Sequence, residues 1–211
     1  MRRVPVDPAG VPFVAGAALL ALLAGIALGP AAAVPLLVVA AFFLFFFRDP
    51  DRRTLYSAGA VVAPADGRVL VAGPAIPDAA PPGQWLQVSI FLSPLDVHVN
   101  RVPVSGEVTR VAYTPGRFLP AYRADAGKVN ERSEIWIDHR GQTVVARQLV
   151  GILARRVVCR LSKGATVRAG DRYGIMKFGS RMDVFLPVTA QIRVSVHDSV
   201  RGGETVIAVL H

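Results

Sequence analysis

Cysteine is almost absent from this chain, since Cys159 is the only one among the 211 residues. A disulfide within the chain and a zinc site built from several cysteines are therefore excluded. The sequence also lacks a spaced set of metal-ligating residues, a glycine-rich phosphate loop before a helix, and an interleaving of basic and aromatic residues. These absences argue against a metal centre and a single-stranded nucleic acid surface, so we expect no metal and no nucleic acid partner.

Charge is missing from one long part of the sequence, because residues 8–47 contain no Asp, Glu, Lys or Arg. Two apolar runs, residues 11–29 and 31–47, meet at Gly29-Pro30. Each run is near the lower limit of the roughly 17 to 25 residues that span a bilayer core. The pattern predicts a hairpin of two short helices that attaches the chain to a membrane.

Positive charge flanks this apolar segment at both ends. Arg2 and Arg3 precede it, and Arg48, Arg52 and Arg53 follow it. Because positive residues favour the cytoplasmic face, we expect both ends of the hairpin, and the rest of the chain, on the cytoplasmic side of the cytoplasmic membrane. A cleaved signal peptide is the alternative. The long second run and the lack of a convincing cleavage site argue against it.

The remainder of the chain is basic, with 22 basic and 14 acidic residues from residue 48 onward. Lysine supplies only three of the 24 basic residues in the chain. Arginine suits planar pairing with phosphate or carboxylate, and beside a membrane segment this charge favours an anionic lipid surface. We therefore divide the chain into residues 1–53, a membrane-attachment segment with a basic linker, and residues 54–211, a second domain.

Short runs with strand-like composition, interrupted by glycine and proline, dominate the second domain. They are rich in β-branched residues or alternate between apolar and polar residues, and no long helical period accompanies them. The predicted strands are Val61-Val62, Arg68–Ala72, Trp85–Leu92, Val97–Val102, Val108–Tyr113, Ile135–Asp138, Thr143–Leu149, Arg156–Leu161, Asp183–Leu186 and Ile192–Val196. The sequence therefore predicts a mainly β domain, built as a compact barrel or sandwich.

One internal repeat refines this prediction. Residues 167–171, VRAGD, recur as residues 200–204, VRGGE, and each copy leads into a short apolar run. Such a turn before a strand resembles the hairpin unit of lipoyl-type and biotinyl-type barrel-sandwich domains. A carrier domain of that kind needs a lysine at its hairpin tip, and neither copy has one. The repeat thus supports the fold alone.

Three polar clusters interrupt the strand-like pattern. Asp66 precedes a glycine in a turn, which is also common in hairpins for conformational reasons alone. Alternation along residues 93–101 places Asp96, His98 and Asn100 on one face, which suits a site, although a lone histidine is often structural. The third cluster, residues 130–133, is fully polar and has a solvated loop as its alternative interpretation.

Gly179 and Ser180 lie between an apolar run and an alternating strand. A hydroxyl here follows a residue without a Cβ, which leaves the Gly179 carbonyl open to close approach. Ser180 could attack a bound substrate or the peptide bond in front of it. A plain turn between two strands is the structural alternative.

Five sequence blocks between residues 61 and 187 carry a more specific signal. They are APADGRV at 63–69, FLSPLDVHVNRVPVSG at 91–106, YTPGRFLPA at 113–121, NERS at 130–133 and KFGSRMDVFLP at 177–187. Their order resembles the short form of phosphatidylserine decarboxylase, and the amino-terminal apolar segment fits this family as well.

The resemblance implies a proenzyme that cuts itself between Gly179 and Ser180 and converts Ser180 into an amino-terminal pyruvoyl group. The products would be a large chain, 1–179, and a small chain, 180–211, held together as a heterodimer. The pyruvoyl carbonyl would condense with phosphatidylserine as a Schiff base and act as the electron sink for loss of carbon dioxide, giving phosphatidylethanolamine. Assembly into larger oligomers is left open.

The resemblance also assigns roles to individual residues. Asp66 matches the aspartate that orients the base, and His98 matches the first histidine of the D-x-H motif. Arg101 stands where longer bacterial members have a second histidine, which leaves the base for self-cleavage open. Our hypothesis is that His98 is the base in maturation and the acid toward the decarboxylated intermediate.

Cationic partners are expected for the substrate carboxylate and phosphate. Arg101, Arg117, Arg132 and Arg181 are the candidates, because each lies in or beside one of the five blocks. The sequence does not rank them.

Three other functions remain open at this point. Archaetidylserine decarboxylases share these motifs and act on an ether lipid. A membrane-anchored β-domain adaptor would have the same fold without catalysis. A serine hydrolase would use Ser180 with His98 and Asp66 and would remain a single uncut chain.

Overall fold

The structure is a computed structural model that describes residues 6–54, 57–152, 157–177 and 179–211. The contacts within the chain divide it into two compact units, Met1–Asp51 and Arg52–His211. Four positions used in the sequence interpretation, Arg2, Arg3, Arg156 and Phe178, lie outside the described residues.

The first unit is a pair of apolar helices. A short 3-10 helix, Pro8–Gly10, leads into α1, Val11–Leu28, and α2 follows as Pro30–Phe46. The chain reverses at Gly29, whose φ of 95° lies in a region that side chains disfavour. The predicted helical hairpin is therefore confirmed. Pro8–Leu28, with a mean hydropathy of 2.4, is long and apolar enough to cross a membrane, and α2 is shorter.

Aromatic side chains hold the two helices together near their open ends. Phe13 of α1 packs edge-on against Phe43 of α2, with ring centroids 5.5 Å apart, and stacks on Phe47 at 5.4 Å. Most of the remaining apolar side chains of both helices are exposed, for example Ile26 at 76% and Val38 at 63%. The pair therefore buries only a narrow seam of its apolar surface.

The second unit consists of short antiparallel strands and one helical turn. The strands are β1 (Ala60–Val62), β2 (Gly67–Pro74), β3 (Leu86–Leu92), β4 (Val99–Arg101), β5 (Gly106–Thr114), β6 (Arg132–His139), β7 (Gln142–Leu149), β8 (Val157–Cys159), β9 (Thr166–Val167), β10 (Arg172–Met176), β11 (Ser180–Leu186), β12 (Gln191–Ile192), β13 (Ser199–Val200) and β14 (Val206–Val209). The helical turn α3 is Ala126–Val129. The prediction of a mainly β domain is confirmed.

The strands form one large and two small sheets. The large sheet has the order β13-β2-β3-β11-β7-β6-β5-β9 and curls into a half-barrel. The small sheets have the orders β1-β14-β12 and β4-β10-β8. Alternation along the central strands of the large sheet directs every second residue into a single core, as with Val88, Ile90 and Leu92 of β3.

Most predicted strands are present, but several bounds differ. β4 begins at Val99 rather than Val97, β11 begins at Ser180 rather than Asp183, and the predicted strand Ile192–Val196 shrinks to β12. β9, β10, β13 and β14 were not predicted as strands. Strands of two to five residues are too short to display an alternation that distinguishes them from loops.

The internal repeat corresponds to two equivalent turns. Gly170 and Gly203 both adopt positive φ angles, 83° and 77°. The Gly170 N–H donates to the Val102 carbonyl and the Gly203 N–H donates to the Ala63 carbonyl, both at 2.8 Å. The two turns therefore bind in the same way to neighbouring segments, as expected for a repeated structural unit.

Candidate active site

Ser180 is the first residue of β11, the strand that lies between β3 and β7 in the large sheet. It pairs with Leu92, the last residue of β3, and its side chain lies on the core side together with Met182. Ser180 is fully buried, and its Oγ has no hydrogen-bond partner among the described residues. A buried hydroxyl left without a partner is uncommon and is a candidate for reaction.

Gly179 adopts a φ of 66°, which explains why glycine precedes the serine. A Cβ added to Gly179 would meet no atom within 4 Å. Glycine is therefore favoured here by its backbone conformation and not by a lack of space for a side chain. Close packing instead occurs at Gly151, where an added Cβ would lie 2.2 Å from the Gly179 carbonyl oxygen. The sequence interpretation missed Gly151 because it lies outside the five blocks.

Asn130 fixes the segment that leads to Gly151. Its Nδ2 donates to the Val150 carbonyl at 2.9 Å and to the Leu119 carbonyl at 2.8 Å, and its Oδ1 accepts the Leu119 N–H at 3.0 Å. The polar run 130–133 is therefore more than a solvated loop. Its first residue joins the end of β7 to the loop before α3, and so shapes the surroundings of Gly179.

His98 is fully buried and follows the turn at the end of β3. Its Nδ1 lies 3.0 Å from the carbonyl oxygen of Asp96, which can only accept, so the tautomer with the proton on Nδ1 is favoured. The His98 carbonyl accepts the Met176 N–H at 3.3 Å. The backbone of His98 therefore contacts the last residue of β10, just before the loop that leads to Ser180.

The predicted polar face formed by Asp96, His98 and Asn100 is wrong. Asp96 lies in a turn, where its Oδ2 accepts the Ser93 N–H at 2.7 Å, and the strand begins only at Val99. The Ser93-Pro94 step favours a turn over an extended start to the strand, and the residues that follow are buried on both faces. His98 and Asn100 remain buried, but Asp96 acts through its backbone carbonyl.

Asn100 has a polar partner in the large sheet. Its Oδ1 accepts from Nε2 of Gln148 at 2.8 Å. Gln148 pairs with Met182 of β11, so it is a diagonal neighbour of Ser180 on the core side. Among the described residues, Asn100 Nδ2 and Gln148 Oε1 have no hydrogen-bond partner. The buried end of β11 thus carries several polar atoms with spare hydrogen-bonding capacity.

Asp66 lies at the entry to β2, on the other side of β3 from Ser180. Its Oδ2 contacts the Arg52 guanidinium at 2.7 Å, and its Oδ1 accepts the Gly202 N–H at 2.7 Å. Both carboxylate oxygens are thereby engaged by groups other than His98. A role of Asp66 in orienting His98 stays a prediction.

Two of the four predicted substrate arginines are buried and engaged within the protein. Arg181 is 2% exposed and forms a bidentate pair with Asp183, at 2.8 and 3.0 Å. It also donates to the Ala121 and Arg123 carbonyls, both at 3.2 Å. Arg101 is 4% exposed and donates to the Gly170 carbonyl at 3.1 Å. Their role here is to join segments of the fold.

The other two arginines are more accessible. Arg132 lies 3.8 Å from Glu134 and donates to the Lys128 carbonyl at 3.3 Å. Partial burial, with repulsion from Arg147, lowers the pKa of Arg132. Arg117 is exposed, in the loop before α3. The structure brings none of the four to the cavity described next, and their contact with substrate stays a prediction.

An open cavity of about 570 Å³ adjoins the end of β3. Three segments line it, and they contribute Asp66, Gly67, Arg68, Phe91, Ser93, Asp96, Ser199, Val200 and Arg201. Phe91 and Ser93 flank Leu92, the residue of β3 that pairs with Ser180 of β11. Alternation turns the Phe91 side chain to the face of the sheet opposite Leu92, so the cavity adjoins this strand pair from its outer face. Tyr122 packs edge-on against Phe91, with ring centroids 6.0 Å apart.

In the described part of the chain, no three His, Cys, Asp or Glu residues form a group that could hold a metal ion. The candidate reactive groups of this region are the buried hydroxyl of Ser180 and the buried imidazole of His98.

Comparison with known proteins places these residues in a family. A sequence profile described as phosphatidylserine decarboxylase matches residues 39–208. The chain belongs to the phosphatidylserine decarboxylase family. The match includes every candidate residue of the site, and it confirms the resemblance seen in the five sequence blocks.

Individual members of the phosphatidylserine decarboxylase family are similar over nearly the whole chain. A phosphatidylserine decarboxylase proenzyme of Nitrosomonas europaea is 43% identical over 203 residues, which is 96% of this chain and 94% of the relative. One from Geotalea daltonii is 40% identical and covers 99% of this chain and 98% of the relative. One from Prosthecochloris aestuarii is 45% identical and covers 82% of this chain and 80% of the relative.

Proposed function

We propose that this protein is a self-cleaving phosphatidylserine decarboxylase that converts phosphatidylserine to phosphatidylethanolamine and carbon dioxide. The observation that carries the proposal is the buried, unpartnered Oγ of Ser180, which directly follows a glycine of positive φ in a chain of this family. Membership of the family supports the substrate. The geometry around Ser180 supports maturation at this residue.

Maturation begins with attack of Ser180 Oγ on the Gly179 carbonyl carbon, while His98 Nε2 accepts the hydroxyl proton. The peptide C–N bond breaks and an ester takes its place, with the proton passing to the freed amine. Loss of the Ser180 α-proton then breaks the ester C–O bond, which leaves a carboxylate on Gly179. Water adds to the resulting dehydroalanine and ammonia leaves, so the new amino terminus becomes a pyruvoyl group.

The residues around Ser180 fit this prosthetic group. A pyruvoyl group has lost the amine and the hydroxyl of serine, so it needs little hydrogen bonding through the former side chain, and Ser180 Oγ already has none among the described residues. Its new ketone carbonyl needs a donor, and Asn100 Nδ2 is a buried donor without a partner in the part of the chain described. When formed, the group supplies an electron sink for decarboxylation.

The chain's own residues then position the substrate and move one proton. His98 is buried, its backbone contacts the end of β10 and its Nδ1 is committed to the Asp96 carbonyl, so a proton delivered to the substrate α-carbon would come from Nε2. The cavity beside the end of β3 receives the polar headgroup. The exposed rings of Phe118 and Tyr122 lie in the adjacent loop, where they can contact the acyl chains.

The proposal includes attachment to the cytoplasmic membrane through residues 8–46, with the β-rich unit on the cytoplasmic side. The apolar, largely exposed surfaces of α1 and α2 support attachment. Sidedness follows from the expected positive-inside bias. In sealed vesicles of known orientation, a protease added to the cytoplasmic face should digest the β-rich unit. Protection on that face would contradict this topology.

The mass of the purified protein tests the central claim. We expect two chains, 1–179 and 180–211, with the small chain carrying a carbonyl that reacts with hydroxylamine. Ser180→Ala should give one uncut, inactive chain, whereas Ser162→Ala, at an exposed loop serine, should split normally. An uncut wild-type chain labelled by a fluorophosphonate would instead identify a serine hydrolase.

A further inference from the structure

The cavity beside the end of β3 contains two carboxylates that already have partners within the protein, although only Asp66 is paired with a cation. Asp66 contacts the Arg52 guanidinium and the Gly202 N–H, both at 2.7 Å. Asp96 accepts the Ser93 N–H at 2.7 Å. Neither acid is therefore available as the main partner of a cationic ligand.

Two arginines of the same cavity are, by contrast, available. Arg68 of β2 and Arg201, which follows β13, are both exposed, and neither guanidinium forms a hydrogen bond or an ion pair with the residues described. Strand pairing brings them together, because Arg68 pairs with Ser199 and Gly67 pairs with Val200. The charge of Arg201 also acts on Glu204 and contributes to lowering the pKa of that carboxyl. Two exposed guanidinium groups without a hydrogen bond to described residues, beside carboxylates that have partners, favour an anion site.

The reaction itself decides which substrate anion belongs there. The carboxylate of the substrate loses its charge as carbon dioxide leaves, so an arginine pair would stabilise the ground state more than the transition state. A phosphodiester keeps its charge throughout. In a phosphoserine headgroup, four bonds separate phosphorus from the amine that reacts, and the cavity is lined by Phe91 and Ser93, the neighbours of the residue that pairs with Ser180.

We propose that Arg68 and Arg201 bind the phosphodiester of the lipid substrate in this cavity, an assignment that rests on the proposed decarboxylase function. Arg68 belongs to the large chain and Arg201 to the small chain, so the site is built from both products of self-cleavage. Neither arginine was among the four candidates from the sequence. Arg68 belongs to the APADGRV block and Arg201 to the VRGGE turn. The two arginines are 133 positions apart in sequence, so no local pattern indicates that they lie together.

Two soluble probes separate phosphate binding from the carbonyl chemistry. Dihexanoyl phosphatidylglycerol carries a phosphodiester without an amine, and serine methyl ester carries the amine without a phosphate. In calorimetry with the mature full-length protein, we expect Arg68→Gln and Arg201→Gln each to weaken phosphatidylglycerol binding about tenfold, and the double variant about a hundredfold. Arg68→Lys should fall between wild type and Arg68→Gln.

Kinetics with monomeric dihexanoyl phosphatidylserine should show the same losses in KM, with kcat retained. The reaction of serine methyl ester with the mature protein should be unchanged in every variant. Arg193→Gln, at an exposed arginine outside the cavity lining, removes the same charge and should leave all of these values unaltered.

Several results would overturn the assignment. The first is a wild-type protein that does not bind phosphatidylglycerol. The second is a loss of reaction with serine methyl ester in the variants as large as the loss with phosphatidylserine. The third is a weaker binding of the variants to anionic vesicles with no change for the soluble lipids, which would indicate attraction to the lipid surface. Inorganic phosphate should compete only weakly; if it binds tightly while the KM of the variants is unchanged, the site serves free phosphate. A wild-type chain that never splits overturns the decarboxylase proposal itself, whereas an active wild type with unaltered variants overturns only this assignment.

Discussion

At the scale of single residues, the state of His98 follows from a backbone carbonyl. The Asp96 carbonyl holds Nδ1 at 3.0 Å and can only accept a hydrogen bond, so Nε2 is the nitrogen that carries the lone pair. Asp66, which the family resemblance suggests as the orienting acid, is instead engaged by Arg52 and Gly202. In this chain, the backbone fixes the tautomer of the imidazole.

His98→Ala tests this assignment of the base. Removing a general base costs about a hundredfold to ten-thousandfold in rate, so we expect the variant to accumulate as an uncut chain on denaturing gels over a time course. His139→Ala is the matched control, because His139 also bonds a backbone carbonyl, that of Ser105 at 2.7 Å, but lies at the far end of β6. Complete cleavage of His98→Ala would remove the maturation role.

Cys159 provides a pH-dependent test of burial. Burial raises the pKa of its thiol, and contacts with Leu161 and Ser133 offset part of that increase. The thiolate is the reactive form, so alkylation by iodoacetamide should reach half its maximal rate at a higher pH in the folded protein than in the urea-unfolded chain. Mass spectrometry across pH 7 to 11 measures both profiles. Coincident profiles would show that the thiol is solvated.

Single residues were predicted from the sequence only when they belonged to a recognisable block. Ser180, His98 and Asp66 were proposed this way, and their catalytic roles stay predictions. The structure places Ser180 opposite Leu92, the last residue of β3, and Asp66 just before β2, which also pairs with β3. Gly151 and Arg201 were not found, since their importance comes from neighbours distant in sequence. The Gly179 carbonyl that restricts Gly151 is 28 positions away, and nothing local marks that contact.

At the scale of secondary structure elements, the end of β7 restricts the peptide bond proposed for cleavage. Gly151 follows that strand, and its Cα faces the Gly179 carbonyl oxygen so closely that an added Cβ would lie 2.2 Å away. The segment is held in turn by Asn130. A glycine at this position therefore lets β7 pack against the start of β11 without displacing the Gly179 carbonyl, the group proposed for attack by Ser180.

Gly151→Ala should consequently slow self-cleavage. The methyl group forces the Gly179 carbonyl to move, and small misplacements of reacting atoms cost about a hundredfold in rate. The measurement is the half-time for appearance of the small chain after synthesis in a cell-free system. Gly73→Ala is the control, because an added Cβ there meets nothing within 4 Å and its φ is not positive. Equal half-times for both variants and wild type would contradict the prediction.

Elements with a clear period were predicted well and short ones were not. β3, β5 and β7 have seven to nine residues and alternate or carry β-branched residues, so their positions were found within a few residues. The start of β4 was predicted two residues too early. Polar and apolar residues alternate along positions 96–100 as in a strand, but the turn at Asp96 delays the strand to Val99. β10 and β13 are strands because they pair with strands distant in sequence, and the local sequence contains no pattern that predicts this pairing.

At the scale of the whole molecule, the proposed small chain is part of two sheets. β11 lies between β3 and β7 and pairs with both over most of its length, and β14 pairs with β1. Arg181 and Asp183, both buried, reinforce the first residues of β11 through bonds to Ala121 and Ser89. Cleavage before Ser180 would therefore remove one covalent bond and leave these contacts in place.

We expect the two chains to co-elute as one particle after cleavage. In size-exclusion chromatography in detergent, 1 M salt should not separate them, since strand pairing and apolar burial resist screening. Denaturing urea should separate them. Release of the small chain by salt alone would show that β11 leaves the sheet once it is cut.

The central position of β11 also sets the order of events in biosynthesis. Both of its neighbours precede it along the chain, so β3 and β7 can be joined only after residue 186 has been synthesised and β11 has paired between them. The peptide bond proposed for cleavage, before Ser180, would acquire its reactive geometry at the same moment. The fraction of cleaved molecules in a cell would then equal the fraction that has folded correctly, and a misfolded variant would remain uncleaved.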